Sequence, residues 1–266
     1  MSKFGFIGAG NMGGALAVAL SKSIEPNNIL LADKMQEKAE NLATQIGAKV
    51  STNEEIAKEA KFIFLAVKPQ FMANMLEEIA PILKNRNDEF VLVSIAAGLT
   101  KEKIRIMADG NYPVIRVMPN TPAFLGEGML LFTTCDVNEK TQAEFLNCMK
   151  KAGIWDEIDE SLIDAASALS GCGPAFVYMF IEALADGAVK CGLPRDKALK
   201  YAAQTVKGSA MMVESTGKHP ELLKDEVCSP GGTTIAGVSA LENGGFRANC
   251  INAVTDAYNK TLELGK

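Results

Sequence analysis

The chain has 266 residues, is 48% hydrophobic and 22% charged, and so has an ordinary globular composition with length for one large domain or two modest ones. Its net charge of −5 contains no block of like charges, which argues against a nucleic-acid footprint or a membrane-surface patch and leaves a small ligand as the expected partner. No uninterrupted apolar run reads as long enough to span a bilayer, and the first residues read as buried strand, not as signal peptide, so the expected location is the cytoplasm. The six cysteines lack the short paired spacings of a zinc or dithiol site and read as reduced packing residues. A single histidine, His219 beside Pro220 in a surface turn, argues against a histidine-centred triad or a multi-histidine metal site. No metal is expected, and the chemistry must come mainly from a cofactor.

From Lys3 to about residue 158, short Val/Ile/Leu/Phe runs alternate with segments of helical period, the pattern of a doubly wound α/β domain with a parallel sheet. The first strand, at 4–7, leads into Gly8-Ala9-Gly10-Asn11-Met12-Gly13 and a helix over 12–21. A glycine-rich loop between strand and helix is the context in which it cradles a dinucleotide pyrophosphate. Gly8 allows the tight turn, Gly10 the approach of phosphate to backbone, and Gly13 the packing of helix on strand. After the second strand, at 29–32, stands Asp33, where an acid binds adenosine ribose hydroxyls and favours NADH. Lys34 follows at once and can neutralise the extra phosphate of NADPH, and Asp33 also reads as a helix-capping acid; the preferred dinucleotide stays open.

A strand at 62–66 is followed by Ala66-Val67-Lys68-Pro69 and a helix over 70–83; a strand at 90–95 by Ala96-Ala97-Gly98; a strand at 114–118 by Met118-Pro119-Asn120-Thr121-Pro122. Ligands of such sheets lie beyond the carboxyl ends of the strands, so these rigid edges are candidate cofactor contacts or plain tight turns. Weaker strands fall near Leu130 and Ile154. Residues 1–159 are read as the dinucleotide-binding domain and 160–266 as an all-α domain. In the latter, Phe176, Val177, Phe180, Ile181 and Leu184 line one helix face, and Leu199, Ala202, Ala203, Val206, Ala210 and Val213 form a stripe on a helix opened by Pro194. So short a helical domain cannot bury all its faces and is expected to dimerise. The 170–175 segment, with two glycines and a proline, interrupts a helix as a packing kink or a ligand notch. In Cys228-Ser229-Pro230-Gly231-Gly232-Thr233-Thr234, a loop gives way to a helix that Gly244 and Gly245 end. This second helix N-terminus suits a substrate carboxylate, or is an ordinary threonine-capped start.

With these motifs taken together, the chain resembles the pyrroline-5-carboxylate reductase family nearly end to end. The motifs that carry the resemblance are 6–13, 66–69, 118–122, 170–176 and 229–235. It implies a Rossmann-type domain followed by a helical dimerisation domain, with dimers assembled into a decamer. The implied reaction is reduction of 1-pyrroline-5-carboxylate by NADH or NADPH to L-proline, the final step of proline biosynthesis. Carried over by motif, cofactor contacts fall on Gly8, Ala9, Gly10, Asn11, Met12, Asp33, Lys34, Asn53, Ala66, Val67, Lys68, Pro69, Ala96 and Ala97. Substrate contacts fall on Ser229, Gly231, Gly232, Thr233 and Thr234, with the Thr234 hydroxyl near the ring nitrogen and Glu160 toward the amine end of the product. A cyclic imine can take its proton from water near neutral pH, which suits a chain with one histidine. Two alternatives are a β-hydroxyacid dehydrogenase, whose catalytic Lys/Asn pair is missing because Lys190 is followed by Leu193, and a non-catalytic dinucleotide sensor, which has no need of an intact 229–234 segment.

Overall fold

A computed structural model describes residues 2–264 of the chain. Among them are eight strands, β1 (Phe4–Ile7), β2 (Ile29–Ala32), β3 (Lys49–Val50), β4 (Phe62–Leu65), β5 (Val91–Ser94), β6 (Val114–Met118), β7 (Gly128–Cys135) and β8 (Gly153–Glu157). They form one sheet in the order β3-β2-β1-β4-β5-β6-β7-β8. The reversal of strand order beside β1 is the topological switch point at which doubly wound sheets hold their ligands. Strands β1, β2, β4, β5 and β6 are buried along their whole length, which is why each reads as a continuous apolar run, not as an alternation.

The expectation of an all-parallel sheet needs one correction. β7 pairs antiparallel with β6, and β8 pairs parallel with β7, so the last two strands run against the rest. The link from β6 to β7 is a short 3-10 turn at Thr121–Leu125; a parallel return would need a crossover of a dozen or more residues. β3 escapes the sequence pattern because it is two exposed residues long.

Helices cover both faces of the sheet. α1 (Asn11–Ser21) and α2 (Gln36–Ile46) pack on the side where Phe6 stacks on Phe64 with ring centroids 4.2 Å apart. α3 (Asn53–Glu59), α4 (Pro69–Lys84) and α5 (Lys101–Met107) cover the other, around Ile63, Leu65, Leu76 and Ile79. Each fully buried Phe, Leu or Ile stabilises the fold by roughly 1.5–3 kcal/mol, so these two clusters dominate its stability. α6 (Glu139–Met149) adds Phe145 to the first cluster. α7 (Glu160–Ser170) begins with Asp159 as its cap, accepting from Ser161 N–H, and sets Ile163 against Met118 and Leu131.

By density of contacts the chain divides into two compact units, one of residues up to Cys172 with those from Ala257 on, the other Gly173–Asp256. α7 therefore groups with the sheet. The second unit consists of α8 (Gly173–Lys190), α9 (Arg195–Thr216), α10 (Pro220–Val227), α11 (Thr233–Asn243) and the start of α12 (Phe246–Leu264). The predicted interruption falls at Gly171–Cys172, between α7 and α8. The small core of this unit is Ala185, Ala198 and Ala202, small residues that let α8 and α9 approach closely, with Ile181, Val189 and Leu193 around them. Much of the remaining apolar surface is exposed, including Tyr178, Met179, Met211, Met212 and Ile251. His219 caps α10 through Nδ1, which accepts from Glu221 N–H.

One further expectation changes. By length and composition alone, the stretch Glu160–Lys190 could cross a membrane. The uninterrupted-run criterion passes over it because Gly171 and Cys172 break the helix, while the average hydropathy across the break stays high. The second part of this stretch, α8, keeps Tyr178 and Met179 exposed, and apolar surface of that kind calls for a partner.

At the amino ends of the central strands, Lys61 bridges Glu89 at 3.1 Å and Glu144 at 2.8 Å. Thr141 and Asn138 also donate to Glu89, each at 2.6 Å. Hydrogen bonds from Thr141 first, then Lys61 and Asn138, draw its carboxyl from about 4.5 down to about 2. A carboxyl depressed in the folded state contributes stability above its unfolded pKa and loses it as pH falls toward the folded one. Glu89→Gln is therefore expected to lower stability at neutral pH by ~1 kcal/mol or less, because this half-exposed group is screened by solvent. It should also flatten the loss of stability between about pH 4.5 and about pH 2. Urea unfolding at several acid pH values checks this, and parallel wild-type and variant curves would contradict it.

Candidate cofactor and substrate sites

The first site is built where β1 hands over to α1. Gly8 has φ +113, and a Cβ on it would stand 2.5 Å from the Ala66 carbonyl oxygen; only glycine fits that turn. A Cβ on Gly13 would meet the Gly8 carbonyl oxygen at 2.3 Å and the Ala66 Cβ at 3.0 Å, so α1 lies against the strand ends. Gly10 differs. A Cβ there meets nothing within 4 Å, and its φ of −72 suits any residue. The space beside Gly10 is thus open while its neighbours are closed on protein, the arrangement that a pyrophosphate approaching the backbone requires. Gly10 is also the N-cap of α1, without a side-chain cap and without an acid in the first turn, so the amino-terminal N–H groups face that space with the helix dipole behind them.

The loop is fastened from two sides. Gly8 N–H donates to the Ala32 carbonyl at 2.8 Å and Ala66 N–H to the Ile7 carbonyl at 2.9 Å. Asp33 accepts from Ala9 N–H through one oxygen and from Met35 N–H through the other, both at 2.8 Å. The cap of α2 is Met35, without a side-chain bond, so Asp33 reaches the glycine loop in addition to its own turn. Asn11 and Met12 open α1, Asn11 exposed and Met12 half-buried. Lys34 is exposed.

The other predicted contacts lie along the same carboxyl-terminal edge. Ala66 and Val67 are half-buried after β4, Lys68 is the exposed cap of α4 and Pro69 its first residue. Ala96 is buried after β5 and Ala97 exposed. Asn53 opens α3 behind a Thr52/Glu55 capping box and points its amide at Glu78, 3.3 Å away.

The 118–122 motif has a structural task. Asn120 is buried, donates to the Ser170 carbonyl and accepts from Met129 N–H, both at 3.0 Å. It thereby ties the end of α7 to the start of β7. Beside it lies a charge cluster that the sequence reading missed. Arg116, 2% exposed, reaches Asp164 at 2.8 Å and Glu160 at 3.3 Å. Glu160 also accepts from Lys101 N–H at 2.9 Å, and Lys101 Nζ bonds Thr133 at 2.8 Å. The Glu160 carboxylate is therefore engaged within its own unit. The signal for this cluster was present: an arginine in the middle of the apolar strand Val114–Met118 must find acids.

The second site lies in the helical unit. A turn closed by Gly232 N–H on the Ser229 carbonyl, 3.0 Å, delivers the chain into α11. Gly232 is its N-cap, with no side-chain cap and no acid in the first turn, so the threonine-cap alternative fails: Thr233 and Thr234 are the first helical residues. Ser229, Gly231 and Thr233 are exposed, Gly232 and Thr234 half-buried. An uncapped helix start of this kind, edged with hydroxyls, favours a carboxylate. Among the described residues no cluster of three His, Cys, Asp or Glu side chains could hold a metal ion.

Residues 160–264 match the family model described as pyrroline-5-carboxylate reductase dimerisation, and residues 3–98 match one described as NADP oxidoreductase coenzyme F420-dependent. The chain is 43% identical to the pyrroline-5-carboxylate reductase of Escherichia coli (strain K12), over 99% of this chain and 98% of that protein. Among solved structures it is similar to the pyrroline carboxylate reductase of Plasmodium falciparum with NADP bound. That match has a TM-score of 0.88 and 35% identity, covering 100% of this chain and 98% of that one. It is similar also to the Coxiella burnetii pyrroline-5-carboxylate reductase, with a TM-score of 0.89 and 31% identity over 100% and 99% of the two chains. The hydroxyacid-dehydrogenase and sensor alternatives are not favoured.

Because the space at Gly10 is open and its backbone unstrained, Gly10→Ala is expected to leave the unfolding midpoint nearly unchanged while weakening nucleotide binding on the order of tenfold. Gly13→Ala, forced against the Gly8 carbonyl, is expected to lower stability by ~1–3 kcal/mol. Thermal unfolding and calorimetric titration of the two variants side by side separate these effects. Equal destabilisation by both would overturn the distinction.

Proposed function

Since the chain belongs to the pyrroline-5-carboxylate reductase family, we propose that it reduces 1-pyrroline-5-carboxylate to L-proline with NADH or NADPH, closing proline biosynthesis. The observation that carries this reading is the uncapped start of α11, with Thr233 and Thr234 as its first residues. A reductase of a carboxylate-bearing imine needs such an anion site besides a dinucleotide loop.

The dinucleotide is held by the glycine loop: the backbone N–H groups of Gly10, Asn11 and Met12 meet its phosphates, while Gly8 and Ala9, whose N–H groups are engaged by the Ala32 carbonyl and Asp33, shape the turn. Asp33 and Lys34 flank the adenosine ribose, with Asn53 nearby. The edges Ala66 to Pro69 and Ala96 to Ala97 border the nicotinamide half. The open volume at Gly10 supports this assignment. When bound, the reduced nicotinamide supplies a hydride. The backbone N–H groups of Thr233 and Thr234 hold the substrate carboxylate; Gly232, whose own N–H is engaged by the Ser229 carbonyl and so is not the donor the motif suggested, shapes with Ser229 and Gly231 the turn that presents them, and the Thr234 hydroxyl bonds the ring nitrogen. The C=N carbon becomes electrophilic once that nitrogen carries a proton, which water can supply, so the main work of these residues is orientation and one hydrogen bond. The family resemblance assigns Glu160, which Arg116 and Lys101 anchor, to the amine end of the product.

Functionally, 1–159 is the nucleotide-binding part and 160–266 the dimerisation and substrate part. The exposed apolar side chains of α8, α9 and α12, such as Met179, Met211 and Ile251, become the interface of a homodimer, and the family resemblance extends this to a decamer of five dimers. Six unpaired cysteines fit a reducing compartment, the cytoplasm.

Thr234→Val removes the hydroxyl and keeps the shape. We expect kcat to fall on the order of 10²-fold with cofactor affinity nearly intact, measured by oxidation of the reduced nucleotide in the presence of pyrroline-5-carboxylate. Wild-type turnover in the variant would remove Thr234 from the reaction, and absence of turnover by the wild-type protein would sink the assignment itself.

A further inference from the structure

We infer that Asp33 sets the dinucleotide preference of this chain, favouring NADH over NADPH, because its carboxylate is immobilised by the glycine loop. The inference rests on the nucleotide site proposed above and concerns the one question left open there. Asp33 directly follows β2, whose last carbonyl, on Ala32, accepts the Gly8 N–H at 2.8 Å. The acid is therefore held beside the loop. One of its oxygens takes the Ala9 N–H and the other the Met35 N–H, each at 2.8 Å. A carboxylate gripped by two main-chain donors cannot swing aside to admit a second anion. Each oxygen nevertheless keeps a lone pair, so the pair can still accept from the two hydroxyls of an adenosine ribose.

A 2′-phosphate changes both conditions. It replaces a donor by acceptors and brings close to two negative charges against a fixed one, and like charges so placed are strongly disfavoured. The opposing candidates are Lys34 and Lys68. Both are exposed, and among the described residues neither is held by an ion pair or a side-chain hydrogen bond. A lysine of that kind must be ordered before it attracts anything and is screened by water, so it offsets little. The side chain of Asn53 donates to Glu78 at 3.3 Å, and α2 carries Glu37 in its first turn. Neither is a fixed cation. The immobile anion outweighs the mobile cations.

The same geometry gives Asp33 a second consequence. As the acceptor of the Ala9 N–H it also positions the loop, so its removal should alter affinity for both nucleotides as well as their ratio. Calorimetric titration of the full-length protein with NADH and with NADPH, without imine, reads this directly, and kcat/KM with each nucleotide accompanies it. The wild-type protein should bind NADH on the order of tenfold tighter. Asp33→Asn keeps an oxygen for Ala9 N–H and removes the charge, and should narrow the ratio on the order of tenfold. Asp33→Ser should move it further toward NADPH while weakening NADH. Equal or tighter binding of NADPH by the wild-type protein, or an unchanged ratio in both variants, would overturn the inference while leaving the nucleotide site standing. Failure of the wild-type protein to bind either nucleotide would defeat the nucleotide site itself, and the inference with it.

Discussion

The close approach of three strand ends to one loop is the constraint on which the nucleotide-binding unit depends. Gly8 sits under the Ala66 carbonyl, Gly13 over the Gly8 carbonyl, and Gly8 N–H on Ala32. The two carbonyl contacts leave no room for a Cβ, and with the hydrogen bond they hold β1 in place relative to β2 and β4. Those strands are held in turn by fully buried side chains on both faces, with Phe6 on Phe64 and Phe4 on Phe62 stacked across β1 and β4. The packing of the core therefore fixes the loop closely against the strand ends. That precision is what an anion site made of backbone N–H groups needs.

The helical unit obeys a different constraint. Its internal core is small, three buried alanines between α8 and α9, and its large apolar side chains are exposed in the single chain. Such a unit is held together by close helix contact and is completed by a partner surface. The α11 start shows how a bare helix N-terminus is built on this scaffold. Gly232 at the cap position supplies no side-chain acceptor, so the first N–H groups stay available where an ordinary Ser or Asp cap would have consumed them. Both sites thus use one physical device, a helix N-terminus left deliberately bare behind glycine.

Much of this was legible along the chain, for physical reasons. Buried parallel strands are continuous apolar runs, and those at Phe4–Ile7, Ile29–Ala32 and Val114–Met118 fall where the residues place them. Gly-x-Gly between strand and helix, and Gly-Gly-Thr-Thr after a proline, constrain backbone locally and can be read locally. β3 was not legible, because two exposed residues carry no pattern. The antiparallel turn into β7 was not, because strand direction depends on which neighbour a strand meets. The partners of Glu160 were not either: Arg116 lies in β6 and Lys101 at the start of α5, and only the folded sheet brings them to one carboxylate.

The sequence by itself determined the order of the long buried elements, the places where glycine precedes a helix, the glycines that each tight contact requires and the family, since all of these are written in residue type and spacing. Tertiary structure decided what those residues face. It turned Asp33 from a choice between ribose ligand and helix cap into a carboxylate bonded to the loop. It made Asn120 a strut between α7 and β7. It also showed that the small-residue stripe of α9 is largely uncovered within one chain. Contacts between residues distant in the chain arise from packing, and no local pattern encodes them.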